Sequence, residues 1–453
     1  MVSLVDNNDS EITTMEFFNQ FGLPPSESYL ELMRYLLVMT LLIHVTYMSL
    51  VAGSTIISLI LNSRDRDVRN THFGRLAKDL MDMVVPSRVV VLVFGILPLV
   101  PMWLIYGQWL YKSIASTMFL LPVAAGVIAL ALVVILIYRA TMRDDGDNSM
   151  ANFGIGSAGL MILLAGMYIL ATSTVRLNDP ERWHLMQSPG RLMVSFNVIW
   201  KYVYFLLGAV CATGCGMLFF FFHWPGRGPV TDARYARFVK NLAAGLAMPC
   251  LILMPVIGFF YLVTTPIVAM SGAVYGLATG TVILMFIIFV YLFQTLLAER
   301  SSYGVHAFLL FLGVLLLVGV GDQLNLVNAT AEHTAARIVE AEEAAAQIAL
   351  EREAERAVAA VVDVARGREV FETVCTTCHR MDERLVGPAL NTVLPGYAGR
   401  IDDLISYLQK PSKKNPDFPP MPAPGLPLSD VKSVASYLLG ETTDSGTGEN
   451  GGH

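Results

Sequence analysis

The sequence predicts an all-α protein: a polytopic transmembrane bundle of about eight helices, then a long helix, then a small all-α domain. Apolar residues make up 54% of the 453 residues, charged residues only 15%, and the mean hydropathy is +0.55, which is typical of a chain that lies mostly in a bilayer. Apolar runs separated by short polar loops extend over residues 29–325. Beyond them the sequence becomes charged and alanine-rich, and then contains many Gly and Pro residues. This shift in composition predicts a domain boundary.

Each predicted span is an apolar stretch of about 20 residues, the length that crosses the hydrocarbon core as a helix. The predicted spans are 30–62, 86–110, 114–138, 152–174, 197–222, 242–265, 272–297 and 305–324. An even number of spans places both ends of the bundle on the same side of the membrane. The chain start, 1–24, lacks the basic beginning and early apolar core of a cleavable signal peptide, so we expect the first span to remain as an anchor.

The basic residues predict the orientation of the bundle. The loops that follow the odd-numbered spans contain most of them: Arg64, Arg66, Arg69, Arg75, Lys78, Arg139, Arg143, Arg227, Arg234, Arg237, Lys240 and Arg300. The opposite loops contain only Lys112, Arg176, Arg182 and Arg191. Because basic loops stay on the cytoplasmic side, both termini are predicted to be periplasmic.

Residues 331–362 are rich in strong helix formers and contain neither Gly nor Pro, which predicts a single helix of roughly 50 Å. This helix could be a stalk that holds the C-terminal domain away from the bilayer, or a surface helix folded back on the same subunit. The predicted segments are therefore a periplasmic N-terminal segment (1–28), the bundle (29–325), a helical linker (326–363), the C-terminal domain (364–440) and a disordered tail (441–453).

The cysteines fall into two groups. Cys211, Cys215 and Cys250 lie in apolar spans, where cysteine usually behaves as a small buried hydrophobe, and no His or acid flanks the first two to suggest a metal site. Cys375 and Cys378 belong to the C-x-x-C-H run that ends at His379, the pattern of covalent haem attachment. Zinc binding and a redox disulfide are the alternatives for such a cysteine pair.

The region around this run, 364–440, resembles class I cytochrome c domains. Gly367 and Phe371 match that family's N-terminal helix contacts, and Gly387-Pro388 matches its loop supporting the proximal histidine. Met421, in FPPMPAPGLPLSD, lies where the family places its axial methionine, and 430–439 matches its C-terminal helix. The resemblance implies one covalent haem c, with iron bound by His379 and Met421, on the periplasmic side of the membrane.

Residues 28–225 resemble, more loosely, the large subunit of cytochrome bd quinol oxidases. His44 and Gly53 match a haem-ligating histidine and a glycine nine residues later, PMWLIYGQW matches an M-E-x-x-x-G segment, and WKYVYF stands where the family has a second haem histidine. Trp103 replaces the glutamate, and Tyr204 or a neighbour replaces the second histidine. The sequence also suggests no buried acid that could deliver protons to an oxygen-reducing site.

An intramembrane histidine indicates function by default, because burying it is costly. For His44 three interpretations remain: a haem b ligand, a structural hydrogen bond to a neighbouring helix, or a quinone contact.

These observations predict a membrane-anchored c-type cytochrome in a bacterial inner membrane, with its haem domain periplasmic. We expect it to transfer single electrons as a subunit of a respiratory complex, between other subunits and a periplasmic electron carrier, and to use the bundle as an anchor. The alternatives are a quinol-oxidising or oxygen-reducing subunit with haem b at His44, and a mainly structural assembly subunit. The net charge of −6 gives no indication of nucleic-acid binding.

Overall fold

A computed structural model describes residues 26–68, 71–109, 117–142, 149–185, 193–225, 230–297, 302–360 and 362–444. The predicted N-terminal segment falls almost entirely outside these residues. The chain divides into two units, Met1–Val339 and Glu340–His453. Every regular element in the described ranges is helical, as the sequence predicts.

The first unit is built from long helices. Its elements are α1 (Glu27–Val68), α2 (Thr71–Val84), α3 (Arg88–Val90), α4 (Leu99–Trp109), α5 (Thr117–Thr141), α6 (Ser149–Arg176), α7 (Phe196–Phe222), α8 (Ala233–Thr264), α9 (Gly272–Leu297) and α10 (Ser302–Ala360). Eight helices in the described ranges are long and apolar enough to cross a membrane, and they coincide with the predicted spans.

Two elements differ from the sequence-based expectation. The basic segment after the first span is the amphipathic helix α2, whose apolar side buries Leu76, Leu80 and Met81 completely against the bundle. A helical period of apolar residues within a basic segment accounts for this packing. The last span and the predicted linker helix form one continuous helix, α10, because no Gly or Pro after Gly321 interrupts it before Ala360.

The centre of the bundle is a close contact between α1 and α7. A Cβ atom at Gly53 would lie 2.2 Å from the carbonyl oxygen of Ala209 and 2.3 Å from Thr213 Oγ1, so only glycine allows this approach. The packing of the two helices therefore accounts for Gly53 without any bound group.

A π-helical segment, Val91–Ile96, connects α3 to the residues before α4. The N–H of Leu97 bonds to the carbonyl of Leu92, five residues back, at 2.8 Å. Pro98 has no N–H, so the carbonyl of Phe94 lacks its ordinary α-helical donor.

The second unit includes the end of α10 and four further helices: α11 (Val364–Val374), α12 (Leu390–Val393), α13 (Ile401–Gln409) and α14 (Leu428–Asp444). The helix α14 ends a few residues inside the predicted tail, and residues beyond it lie outside the described part. The helices enclose a small apolar cluster of Val370, Phe371, Leu390, Leu394, Leu404, Leu408, Val431, Val434, Ala435 and Leu438.

The helices α11 and α14 cross at Gly367, where a Cβ atom would lie 2.1 Å from the carbonyl oxygen of Ser433. The Ser433 hydroxyl also accepts the Asp363 N–H at 3.1 Å. At the edge of this crossing Arg366 pairs with Asp430 at 3.0 Å, which raises the already high pKa of the guanidinium. The contact that the family resemblance predicts for Gly367 is therefore present.

Candidate functional site

The C-x-x-C-H run begins where α11 ends. A single 3-10 turn, Cys375–Thr377, follows the helix, and the N–H groups of Cys378 and His379 both donate to the Cys375 carbonyl, at 3.1 and 3.0 Å. Both cysteines are free thiols and partly buried. Burial raises the pKa of the Cys375 thiol, so it is protonated at neutral pH in the polypeptide alone.

His379 is held in one orientation. Its Nδ1 lies 3.2 Å from the carbonyl oxygen of Pro388. Because a carbonyl oxygen can only accept, Nδ1 carries the proton and Nε2 presents a lone pair. This tautomer is the one that a metal ligand requires when it binds through Nε2.

The loop that supports the imidazole closes tightly over it. The N–H of Gly387 donates to the carbonyl of Cys378 at 2.8 Å. A Cβ atom at position 387 would lie 2.2 Å from Cε1 of His379 and 2.6 Å from its Nδ1. Only a residue without a side chain fits there, so the Gly387-Pro388 pair both orients the ring and covers one of its sides.

Met421 lies in an irregular, proline-containing segment and packs, partly buried, against the same apolar cluster as Cys375. Side-chain contacts join its segment to the loop after His379. The guanidinium of Arg384 lies 4.4 Å from the centre of the Phe418 ring and donates to the carbonyl of Asp417 at 3.3 Å. The two loops that carry the predicted iron ligands are therefore connected.

A second anchor holds the chain ahead of Met421. Lys414 donates to the hydroxyl of Tyr397 at 2.6 Å and lies 4.7 Å from the ring centres of both Tyr397 and Tyr407. Sequence reasoning missed both Arg384 and Lys414. Neither belongs to a motif, and their partners lie 7 to 34 positions away, so no local pattern indicates them.

The residues of this site fit the cofactor that the motif implies. Two unpaired thiols can form thioether bonds, an oriented imidazole offers Nε2, and a thioether lies on a neighbouring loop. The alternative zinc site lacks support, since no group of three or more His, Cys, Asp or Glu side chains that could hold a metal ion occurs in the described ranges.

His44 has a different environment. It is completely buried, its ring lies beside the Phe94 backbone, and neither ring nitrogen makes a well-formed hydrogen bond within the described residues. All three interpretations of His44 therefore remain predictions. No second histidine lies nearby on α7, where Tyr204 lines a cavity instead.

Sequence analysis overlooked one acid within the predicted spans, Asp322, which is partly buried. This residue lies in the apolar part of α10 and forms an ion pair with Lys201 of α7. Both charges fall within predicted apolar spans, at 197–222 and 305–324, and a search for opposite charges inside different spans would have found them.

Comparison with known proteins places the similarity in the second unit. The Cytochrome c family model matches residues 364–441. Cytochrome c-551 of Azotobacter vinelandii is 32% identical over 77 residues, which cover 16% of this chain and 94% of that protein. Cytochrome c-551 of Pseudomonas denitrificans is 30% identical over the same length and the same shares. No solved structure matches the chain. The resemblance of the bundle to the bd-oxidase subunit remains a prediction without support from these matches.

Proposed function

Because this chain belongs to the cytochrome c family through its C-terminal domain, we propose that it is a membrane-anchored c-type cytochrome that transfers single electrons within a respiratory complex. The observation that carries the proposal is the orientation of His379: the Pro388 carbonyl fixes its tautomer and leaves Nε2 for iron. The family itself implies covalent haem c and electron transfer.

Each residue of the site has a distinct role in this proposal. Cys375 and Cys378 would form the thioether bonds, and His379 and Met421 would bind the iron. Haem c supplies a one-electron ferric/ferrous couple when bound. The apolar cluster behind Cys375 and Met421 limits access of water, and such burial favours the ferrous state because the ferric haem carries an additional charge.

The test of haem attachment uses the full chain, produced in a host with the haem-attachment machinery. We expect the pyridine haemochrome spectrum to show one c-type haem per chain, and we expect this haem to resist extraction. The double variant C375A/C378A should retain none, because no thioether bond can form. The matched control is C211A/C215A, which removes two buried bundle thiols. Covalent haem in the first variant, or its loss in the second, would refute the assignment.

The membrane part of the proposal is an inner-membrane protein with eight spans and with both termini and the haem domain in the periplasm. The apolar helices and the distribution of basic residues support it. Exposed positions on opposite sides allow a test: a membrane-impermeant thiol reagent applied to spheroplasts should label E181C but not K78C. Labelling of K78C alone would reverse the orientation.

The proposed partners are other subunits of a membrane respiratory complex and a periplasmic electron carrier. A chain with its own haem and a large bundle needs both a source and an acceptor of electrons. Isolation of the native complex and identification of its chains tests this point, and a chain that purifies alone from its native membrane would contradict it.

A second candidate function is quinol oxidation or oxygen reduction with haem b at His44. The observation that favours it is the complete burial of His44 among apolar helices, where a histidine is costly and is often functional. Extractable haem b in the purified chain, lost on replacing His44, would support this function.

A further inference from the structure

The interior of the bundle contains an ion pair that electron transfer by haem c does not require. The ammonium of Lys201 donates to Oδ2 of Asp322, and the hydroxyl of Tyr261 donates to Oδ1 of the same carboxylate at 3.4 Å. The ammonium also lies 4.8 Å from the centre of the Tyr261 ring. Charges within membrane-spanning helices are costly and mark functional sites more often than stabilising ones.

Two cavities, of about 140 and 410 Å³, adjoin this ion pair. Six residues line both of them: Lys201, Tyr204, Met254, Tyr261, Val318 and Asp322. The side chains of Lys201 and Asp322 remain 19% and 26% exposed. Because the pair lies among membrane-spanning helices, this surface faces the cavities. The larger cavity has the size of a small-molecule site.

The cavities combine apolar walls with polar groups. The side-chain amide oxygen of Asn325, which lines the larger cavity, has no hydrogen-bond partner within the described residues, although the residue is only 2% exposed. Gln323 and Tyr106, whose side chains interact with each other, line the smaller cavity. A buried acceptor without a donor costs free energy, so the Asn325 oxygen favours a ligand that donates a hydrogen bond.

The larger cavity opens on the flank of the bundle. Its lining includes Phe259, Tyr275 and Val282, whose side chains are 62%, 52% and 45% exposed on membrane-spanning helices. A ligand can therefore enter sideways from the hydrocarbon region without passing through water. This route suits an apolar molecule with a polar head.

From these features we propose that the cavities beside Lys201 and Asp322 bind an isoprenoid quinone and its hydroquinone. A quinone ring has two oxygens that accept from an ammonium, and the hydroquinone has two hydroxyls that donate to a carboxylate or an amide oxygen. Its flat ring and tail match the apolar walls and the lateral opening. The site is distinct from His44, and its occupation does not depend on whether the chain oxidises the ligand.

Photolabelling of the full chain in nanodiscs tests the proposal. An azido-substituted benzoquinone with a short tail should label peptides of α7, α8, α9 or α10, and decylubiquinone or a short-tailed naphthoquinone should compete saturably. The competing quinone that acts at lower concentration identifies the ring class. We expect K201M to weaken competition by about tenfold, because a hydrogen bond to a charged group is lost.

Two further variants separate ligand binding from loss of structure. V318F narrows both cavities without changing a charge, and it should weaken competition at least as much as K201M. D82N is the matched control, because it breaks the Asp82–Arg139 ion pair, with atoms 2.7 Å apart, away from the cavities. It should leave competition unchanged. Absence of saturable labelling, or equal competition in V318F and the unaltered chain, would overturn the proposal.

This outcome can be told apart from failure of the proposed electron-transfer function. Covalent haem content and its reduction by ascorbate are measured on the same samples, and neither requires a quinone. A chain with normal haem c and no labelling would refute only the quinone site. Labelling without haem c would refute only the electron-transfer assignment.

Discussion

The two units of the chain each contain a histidine in a partly or wholly apolar setting, and they hold it in opposite ways. His379 has its Nδ1 bonded to the Pro388 carbonyl and its ring covered by Gly387. His44 is completely buried, yet neither of its ring nitrogens makes a well-formed hydrogen bond in the described part of the chain. A metal-binding histidine normally has its second nitrogen fixed by an oxygen acceptor. By this criterion His379 is a prepared ligand and His44 is not.

The largest expected effect comes from disturbing the support of His379. In G387A the new methyl group would lie 2.2 Å from Cε1 of the ring, so the imidazole or the loop must move. We expect overpacking to lower the free energy of unfolding of the domain by about 1–3 kcal/mol. The shifted ring should also alter the low-spin spectrum of the ferric haem. Thermal unfolding and electron paramagnetic resonance measure the two effects.

Gly396 provides the control for this substitution, since a Cβ atom there meets nothing within 4 Å. G396A should change the free energy of unfolding by less than about 0.5 kcal/mol and leave the spectrum intact. Equal behaviour of the two variants would show that Gly387 does not orient the ring.

A smaller effect is expected from removing the second proposed iron ligand. M421A should retain covalent haem, because both thioether bonds remain, but it should lose the sulfur-to-iron charge-transfer band of the ferric state. The reduction potential should fall, since methionine ligation favours the ferrous iron. Absorption spectroscopy and a redox titration provide the measurements.

Met381 is a matched control, because it packs against the same apolar cluster but lies only two residues after His379. M381A removes a comparable contact without removing a ligand, so the band should persist. A band that survives in M421A would show that another residue binds the iron.

The sequence was most informative where chemistry is local. The C-x-x-C-H run and the eight apolar spans could be recognised, because each depends on neighbouring residues or on a fixed helical length. The Gly387-Pro388 pair was identified through the family resemblance. The basic segment that forms α2 was predicted as a loop. Its charged residues were considered, but the helical spacing of its apolar residues was not.

The charges of Lys201 and Asp322 could have been noticed in the sequence, but their contact, like others between distant segments, could not be predicted. Lys201 and Asp322 are 121 positions apart, and Arg384 lies 33 positions from the carbonyl it binds. Nothing in one sequence specifies which helices or loops become neighbours. The cavities beside the ion pair follow from such packing, and so the candidate quinone site became visible only in three dimensions.

The smallest expected effect is that of replacing His44. In H44L a polar ring without well-formed hydrogen bonds gives way to an apolar side chain in a fully buried position. Since a buried polar group without a partner costs about 1–3 kcal/mol, its removal should offset part of the packing lost with the ring. We therefore expect nearly unchanged thermal stability, unchanged haem c and no haem b in either protein.

The expected absence of haem b is informative about the two histidines only if the assay can detect haem b when it is present. The purified full chain and H44L are compared by pyridine haemochrome before and after acid–acetone extraction, which removes haem b and leaves haem c attached. Haem b in the unaltered chain that disappears in H44L would show that binding itself orients His44. The lack of a hydrogen bond to the His44 ring would then no longer distinguish this residue from His379.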